Sequence, residues 1–205
     1  MLASATQALQ AFSLVLASGS PRRRELLTQM LPSPITFRIE TSGFAEDLDK
    51  ALYPEPSDYV METARCKGID VFGKCEDDAL VIAADTVVVH QGKIMEKPHS
   101  EEEARSMLRS LSGQTHSVYT GVALFRKGHT PRLFFESTAV TFSQLDDDVI
   151  AAYVATGESM DKAGAYGAQG QAGCFVERFD GDYFNVVGLP MNRLSRELKS
   201  FILQS

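Results

Sequence analysis

The sequence is poor in the features that announce several large functional classes. Its three cysteines, Cys66, Cys75 and Cys174, form no C-x-x-C pair and suggest no disulfide framework. They read as small core hydrophobes in a reducing compartment. The four histidines, His90, His99, His116 and His129, show neither H-E-x-x-H spacing nor a cluster with cysteine, which argues against a zinc site. A G-x-S-x-G elbow is missing, and with it the usual α/β-hydrolase nucleophile. Positive charge is also scarce: 20 Lys and Arg stand against 27 Asp and Glu, a formal net charge of −7. Such a chain repels nucleic acid and acidic membrane surfaces, so neither is expected as a partner. No hydrophobic run approaches the length of a transmembrane helix. The opening "MLASATQALQAFSLVLASGS" lacks the basic start of a secretory signal, and Thr6, Gln7, Gln10 and Ser13 break its apolar stretch. A soluble, cytoplasmic protein is the expectation.

What is present is an ordinary globular composition, 44% hydrophobic and 23% charged, with length for one large domain or two small lobes. Strand and helix signals alternate in the α/β manner. "AFSLVLAS" reads as a buried strand, and "ITFRIET" as a second one. A polar loop, "SGFAEDLDKALYPEPSD", leads into a helix over roughly Tyr59 to Cys75. "ALVIAADTVVVH" reads as a central strand and "HQGK" as a turn into "IMEK". Ser100 and Glu103 make a capping box for a helix that closes at Gly113. Two β-rich runs, His116–Arg126 and Arg132–Phe142, flank the loop "KGHTP". "DDDVIAAYVATG" reads as a helix charged favourably at its N-terminus by Asp146–Asp148. "GCFVERFDGDYF" reads as strand and turn, and "LPMNRLSRELKSFILQ" as a closing amphipathic helix. Repeats and heptads are absent.

The chemistry concentrates at a few points. In "LASGSPRRREL", Ser20 reads as an N-cap and Pro21 as the first helical residue. That sets Arg22, Arg23 and Arg24 in the first turn, against the positive end of the helix dipole, where an anion would offset them. Asp85 lies inside an apolar strand pattern, a costly place for a carboxylate unless it is paired, hydrogen-bonded or metal-bound. As an isolated buried acid, it should give up its charge with stability held or raised. Glu46 and Asp47 are loop acids; a Mg²⁺ site needs one or two carboxylates plus substrate phosphates, which Asp85 and Glu46 supply if the fold joins them. Lys67 and Lys97 are lone lysines, ordinarily surface residues, though Pro98 holds Lys97 extended at an element boundary. "DKAGAYGAQGQAG" spaces Gly164, Gly167, Gly170 and Gly173 by three and is neither a Walker A loop nor G-x-G-x-x-G. An ordinary flexible loop and a ligand-contacting one describe it equally well; glycine there permits positive φ and close backbone approach. Tyr166 and Gln169 bring polar groups able to read a base edge.

Taken in order, "LASGSPRRREL", "SGFAED", "AADTVV", "EKPHSEEEARSMLRSLSGQTHSVYTGVAL", "DKAGAYGAQG" and "GDYFNVVGLP" resemble the Maf family of nucleoside triphosphate pyrophosphatases, from about Leu14 to Leu198. The resemblance implies an α/β fold like that of the inosine triphosphate pyrophosphatases: an elongated mixed sheet with flanking helices, in two lobes around a deep cleft. It divides the chain into an N-terminal extension, 1–12, and a single Maf-like domain, 13–205. It implies hydrolysis of a nucleoside triphosphate to the monophosphate and pyrophosphate with a divalent metal ion, Mg²⁺ or Mn²⁺. Ser18, Ser20, Arg22 and Arg23 match the phosphate-gripping turn, with Arg24 at a variable position facing solvent. Asp85 matches the proton acceptor, Glu46 a further active-site acid beside the metal, and Lys67 and Lys97 lysines facing the phosphates. Arg22, Thr86 and Gln169 match the branch acting on dTTP and UTP, modified pyrimidine nucleotides included. Other readings of the same resemblance are a pyrophosphatase for other non-standard nucleotides, or a regulatory protein of cell division and septum formation with a relict pocket. A homodimer is compatible with either, and the small-molecule nucleotide is the expected partner.

Overall fold

The apolar run ahead of the Ser-Gly-Ser turn forms strand β1 (Ser13–Ala17), buried from Leu14 onward. Before it come a 3-10 turn, Leu2–Ala5, and a one-turn helix α1 (Thr6–Leu9). Leu2, Ala5 and Leu9 are buried, and Lys199 donates to Ser4 Oγ at 2.8 Å, so this segment docks on the body of the protein. The structure is a computed structural model that describes residues 2–76 and 78–204; Met1 of the expected extension, and Asp77 and Ser205 of the expected domain, lie outside it.

Local sequence rules explain most element boundaries. Helix α2 (Pro21–Met30) has Pro21 at its first position and Ser20 Oγ accepting from the Arg23 amide at 3.5 Å. Strand β2 (Arg38–Ile39) is far shorter than "ITFRIET" suggested. Both residues are exposed, so this edge of the sheet buries nothing that would extend the strand. Helix α3 (Pro56–Phe72) begins three residues before the expected Tyr59, because Pro56 takes the first helical position, and ends before Gly73 rather than at Cys75. Strand β3 (Ala79–His90) turns through Gln91 and Gly92, at φ 49° and 73°, into β4 (Lys93–Met95). Helix α4 (Glu101–Leu111) carries the capping box in a shifted form. Ser100 Oγ accepts from the Glu103 amide at 3.1 Å, while Glu103 Oε2 accepts from the His99 amide at 2.7 Å. The long strands β5 (Thr115–Arg126) and β6 (Arg132–Phe142) follow, then α5 (Asp147–Ala155), a run of 3-10 turns, β7 (Val176–Asp180), α6 (Tyr183–Val187) and α7 (Met191–Ile202).

The strands make one mixed seven-stranded sheet, ordered β2-β1-β3-β5-β6-β7 with β4 paired to β3. β1 runs parallel to both β2 and β3, matched to β3 from Ser13–Ala79 to Ala17–Ala83. β4 and β7 pair antiparallel with β3 and β6. The mixed α/β class implied by the resemblance is the class found.

The chain divides into two compact units, with β3, β5 and β6 contributing residues to both. One unit comprises the chain up to Asp85, Thr120–Glu136 and everything from Gly188 on. Its core sets Val15, Ala17, Ala79, Val81, Ala83, Ala123 and Phe125 against Ala64 and Val71 of α3. Helix and sheet approach so closely that a methyl group at Gly121 would overlap the Val60 backbone, and one at Gly68 the Phe125 ring. The other unit comprises Thr86–Tyr119 and Ser137–Val187. Its core is aromatic, with Phe142 edge-on to Tyr166 at 4.8 Å and Tyr153 edge-on to Phe175 at 5.1 Å. The cysteines are all free: Cys75 is half-buried and packs against the first unit's core, in keeping with the core reading, whereas Cys66 is half-buried and Cys174 exposed. Cys66 lies toward Glu62 on the helix surface rather than under α3, and Cys174 sits on a surface turn.

Candidate active site

The alternation of β3 sends Ala79, Val81 and Ala83 toward α3, and Asp85 is the next residue on that face. On α3, Val60, Ala64, Lys67 and Val71 recur at helical spacing and are buried. Two apolar seams are therefore each interrupted by one charged residue, a lysine and an aspartate. Lys67 Nζ donates to Asp85 Oδ1 at 2.8 Å, with the residues only 8% and 7% exposed. Lys67, one of the two isolated lysines singled out in the sequence, is thus not a surface group. Asp85 is not isolated either, which removes the reason to expect stability to survive loss of its charge.

The same ammonium pairs with Glu46 Oε2 at 2.7 Å. Glu46 sits at φ 57°, in the left-handed region that non-glycine residues seldom occupy. Its loop is tied down from α3, one turn beyond Lys67. Asp70 Oδ2 accepts from the Gly43 amide at 2.7 Å and from Ser42 Oγ at 3.2 Å, while Ser42 Oγ accepts from the Phe44 amide at 3.0 Å. A hydrogen bond from Lys74, then the Gly43 amide, hold the Asp70 carboxyl below the usual carboxylate range.

At the β1–α2 turn, Ser18 Oγ accepts from the Ser20 amide at 3.3 Å and from Arg23 Nη1 at 3.2 Å. Arg23 Nε donates to the Gly188 carbonyl at 2.8 Å. Burial lowers the Arg23 pKa, Asp85 and Glu46 pull it back up, and Arg22 adds to the lowering, so these charges feel one another. Arg24 is exposed. One unit thus gathers Ser18, Ser20, Arg22, Arg23, Glu46, Lys67 and Asp85, while Asp47 is an exposed neighbour of Glu46.

Thr86, Lys97 and Gln169 belong to the other unit. Thr86 follows Asp85 on β3 and so takes the opposite face of the strand. Lys97 is exposed, and the Glu96 carbonyl beside it accepts from the Gly164 amide at 3.1 Å, stitching this segment to the glycine loop. Gly164, at φ 66°, lies against Val88. Gly167 and Gly170 serve differently: neither needs positive φ, but a side chain on either would collide with Lys162 or Glu158. Gln169 is exposed on this loop. Tyr166 is not available to read a base: it is 5% exposed, its hydroxyl 2.8 Å from His116 Nε2, because its ring completes the aromatic core.

Residues 13–201 match the model of the Maf-like protein family. The chain belongs to the Maf family. It is 47% identical over 188 residues to a dTTP/UTP pyrophosphatase of Bacillus cereus (strain AH187), covering 92% of this chain and 95% of that one. The figures are the same for a dTTP/UTP pyrophosphatase of Bacillus thuringiensis subsp. konkukian (strain 97-27). A solved HAM1 protein from Coxiella burnetii aligns over 92% of this chain and 99% of its own at 14% identity, TM-score 0.48.

Among the described residues of this Maf protein, no three His, Cys, Asp or Glu side chains cluster to cage a metal ion. Two carboxylates do converge, on the point Lys67 Nζ occupies. Magnesium-type ions are commonly held by one or two carboxylates and completed by substrate phosphates, so Asp85 and Glu46 fit an ion that arrives with a phosphorylated ligand. The residue that sequence reasoning missed is Asp70, indistinguishable in sequence from a solvated helix acid. Gly68 and Gly121 had a signal: a glycine inside a helix or strand is disfavoured unless close packing needs it.

Proposed function

We propose that this Maf protein hydrolyses dTTP and UTP to the monophosphate and pyrophosphate, acting on soluble nucleotides in the cytoplasm. The observation that carries the reading is Lys67 bridging Asp85 and Glu46 in the same unit as the Ser18–Arg23 turn. The identity to relatives named dTTP/UTP pyrophosphatases supports the choice of substrate.

Ser18, Ser20, Arg22 and Arg23 grip the triphosphate, Arg23 with a guanidinium already oriented by Ser18 and Gly188. Lys67 and Lys97 add charge toward the phosphates, and Asp85 takes the proton of the attacking water. Lys67 orients that carboxylate, and Glu46 shares the ammonium that would otherwise be committed to Asp85 alone. A bound Mg²⁺ or Mn²⁺, held by Asp85 and Glu46, would supply positive charge to the phosphate oxygens and make water more acidic. Thr86 and Gln169 select the base. A glutamine amide offers a donor and an acceptor, which complements the N3–H and carbonyl oxygens of uracil or thymine.

The test is pyrophosphate release from a nucleotide panel with Mg²⁺ or Mn²⁺, on wild type and Gln169→Glu. Wild type should favour UTP and dTTP. The variant should lose at least tenfold on them, about 1.4 kcal/mol, because a carboxylate then faces a carbonyl. No release from any pyrimidine triphosphate would refute the activity, and an unchanged UTP-to-GTP ratio would refute the role of Gln169.

A further inference from the structure

We infer that Glu158 and Tyr153 are positioning residues for base selection, together fixing both ends of the turn that presents Gln169. The inference rests on the reading of Gln169 as the base-selecting residue.

Gln169 lies in a four-residue turn closed by the Gly170 amide donating to the Gly167 carbonyl at 3.0 Å. Each end of that turn is held. The Gly167 amide donates to Tyr153 Oη at 3.3 Å, and the Gln171 amide donates to Glu158 Oε2 at 3.2 Å. Tyr153 and Glu158 are joined to each other, the phenol donating to Glu158 Oε1 at 3.2 Å. The two anchors are therefore one connected unit. Tyr153 is 3% exposed at the end of α5, rooted in the aromatic core. Burial, with the Glu158 carboxylate adding to it, raises its pKa, so the phenol keeps the proton it donates. Glu158 is fixed in turn: its carbonyl accepts from Lys162 Nζ at 2.5 Å, and Lys162 pairs with Asp161 at 2.6 Å.

The glycines fit this arrangement. A Cβ on Gly170 would overlap the Glu158 carboxylate, and one on Gly167 would lie 2.5 Å from Lys162 Cε. Glycine at both positions lets the turn lie close on the brace without displacing the Glu158 carboxylate, and glycine leaves an unbraced turn mobile. A side chain that discriminates between bases must be held within a fraction of an ångström, and a mobile turn cannot do that.

The experiment compares Glu158→Ala, Glu158→Gln, Tyr153→Phe and Gln169→Ala by kcat/KM on UTP, dTTP, CTP and GTP, with circular dichroism to confirm folding. Gln169→Ala should lower the UTP-to-GTP ratio at least tenfold. Glu158→Ala should lower it about fivefold, mainly through KM for UTP. Glu158→Gln, which keeps an acceptor for the Gln171 amide, should stay within about twofold of wild type. Tyr153→Phe retains the ring and the fold and should fall between, so it carries the test if Glu158→Ala does not fold. An equal loss on all four nucleotides would mark a merely structural role and overturn the inference. A ratio lowered by Gln169→Ala but untouched by Glu158→Ala and Tyr153→Phe would overturn the brace alone. A ratio untouched by Gln169→Ala would overturn the base-reading assignment, and the brace with it.

Discussion

Lys67 is the group whose loss should separate this arrangement from a chance meeting of charges. Asp85→Asn keeps the shape and an acceptor oxygen for Lys67 but removes the negative charge, and with it part of a charge-assisted hydrogen bond that contributes about 1.5–3 kcal/mol. Lys67 then still has Glu46 at 2.7 Å, so the ammonium is not left uncompensated. The expected destabilisation is therefore about 1–2 kcal/mol, with turnover down about a hundredfold or more. Lys67→Met does something different. Glu46, its side chain 46% exposed, can swing into water, but Asp85, its side chain 10% exposed, cannot. Removing one partner of a buried pair costs about 3–5 kcal/mol, and the remaining field of Arg23 puts this case near the lower end. The double variant should be more stable than the sum of the two losses by about 1–2 kcal/mol, since each substitution alone removes the same ion pair. Urea unfolding followed by circular dichroism, extrapolated linearly, measures all three, alongside kcat on UTP. Strictly additive losses, or Lys67→Met no worse than Asp85→Asn, would refute the pair. So would a folded Asp85→Asn with near-normal turnover, as regards catalysis.

Arg23→Ala should cut kcat/KM by about 1.5–3 kcal/mol worth of transition-state binding, while Arg24→Ala is nearly silent; equal losses would mean that the triplet is a diffuse basic face. Burial, with His90 adding to it, holds the His116 pKa at about 4, against 6.5 for an unperturbed imidazole. Since the unfolded chain takes up the proton first, wild type should lose about 3 kcal/mol as pH falls from 6.5 to 4, and unfolding titrations of His116→Gln should lack that loss. Gly121→Ala should destabilise by about 2–3 kcal/mol in the same unfolding assay, because the added methyl meets the α3 backbone, which cannot step aside; a neutral effect would mean that α3 has room to lift.

The β1–α2 turn was legible because its causes are local: an apolar run, a serine cap, a proline at the first helical position. The same holds for the Ser100 cap and the Gln91–Gly92 turn. β2 shrank to two residues because strand length depends on what the edge of a sheet can bury, which no local window contains. Tyr166 and Gln169 lie three residues apart in one polar, glycine-spaced loop, and nothing in their neighbourhood says that the first turns into the core and the second away from it. The packing of Phe142 and His116, from strands more than twenty residues upstream, decides that.

The pairing of Lys67 with Asp85 was hidden for a related reason. The residues are 18 apart, one on a helix and one on a strand, and they meet only because Gly68 and Gly121 let α3 settle close to the sheet. Sequence could say that Asp85 needed a partner but not which one. Once the partner is known, the charge count becomes informative. Arg22, Arg23 and Lys67 oppose Asp85 and Glu46, leaving a single net positive charge in this unit's cluster. A triphosphate carries more negative charge than that, and Lys67 is already engaged with both carboxylates. Asp85 and Glu46 would hold a divalent cation entering with the substrate, and the ion would supply the missing positive charge.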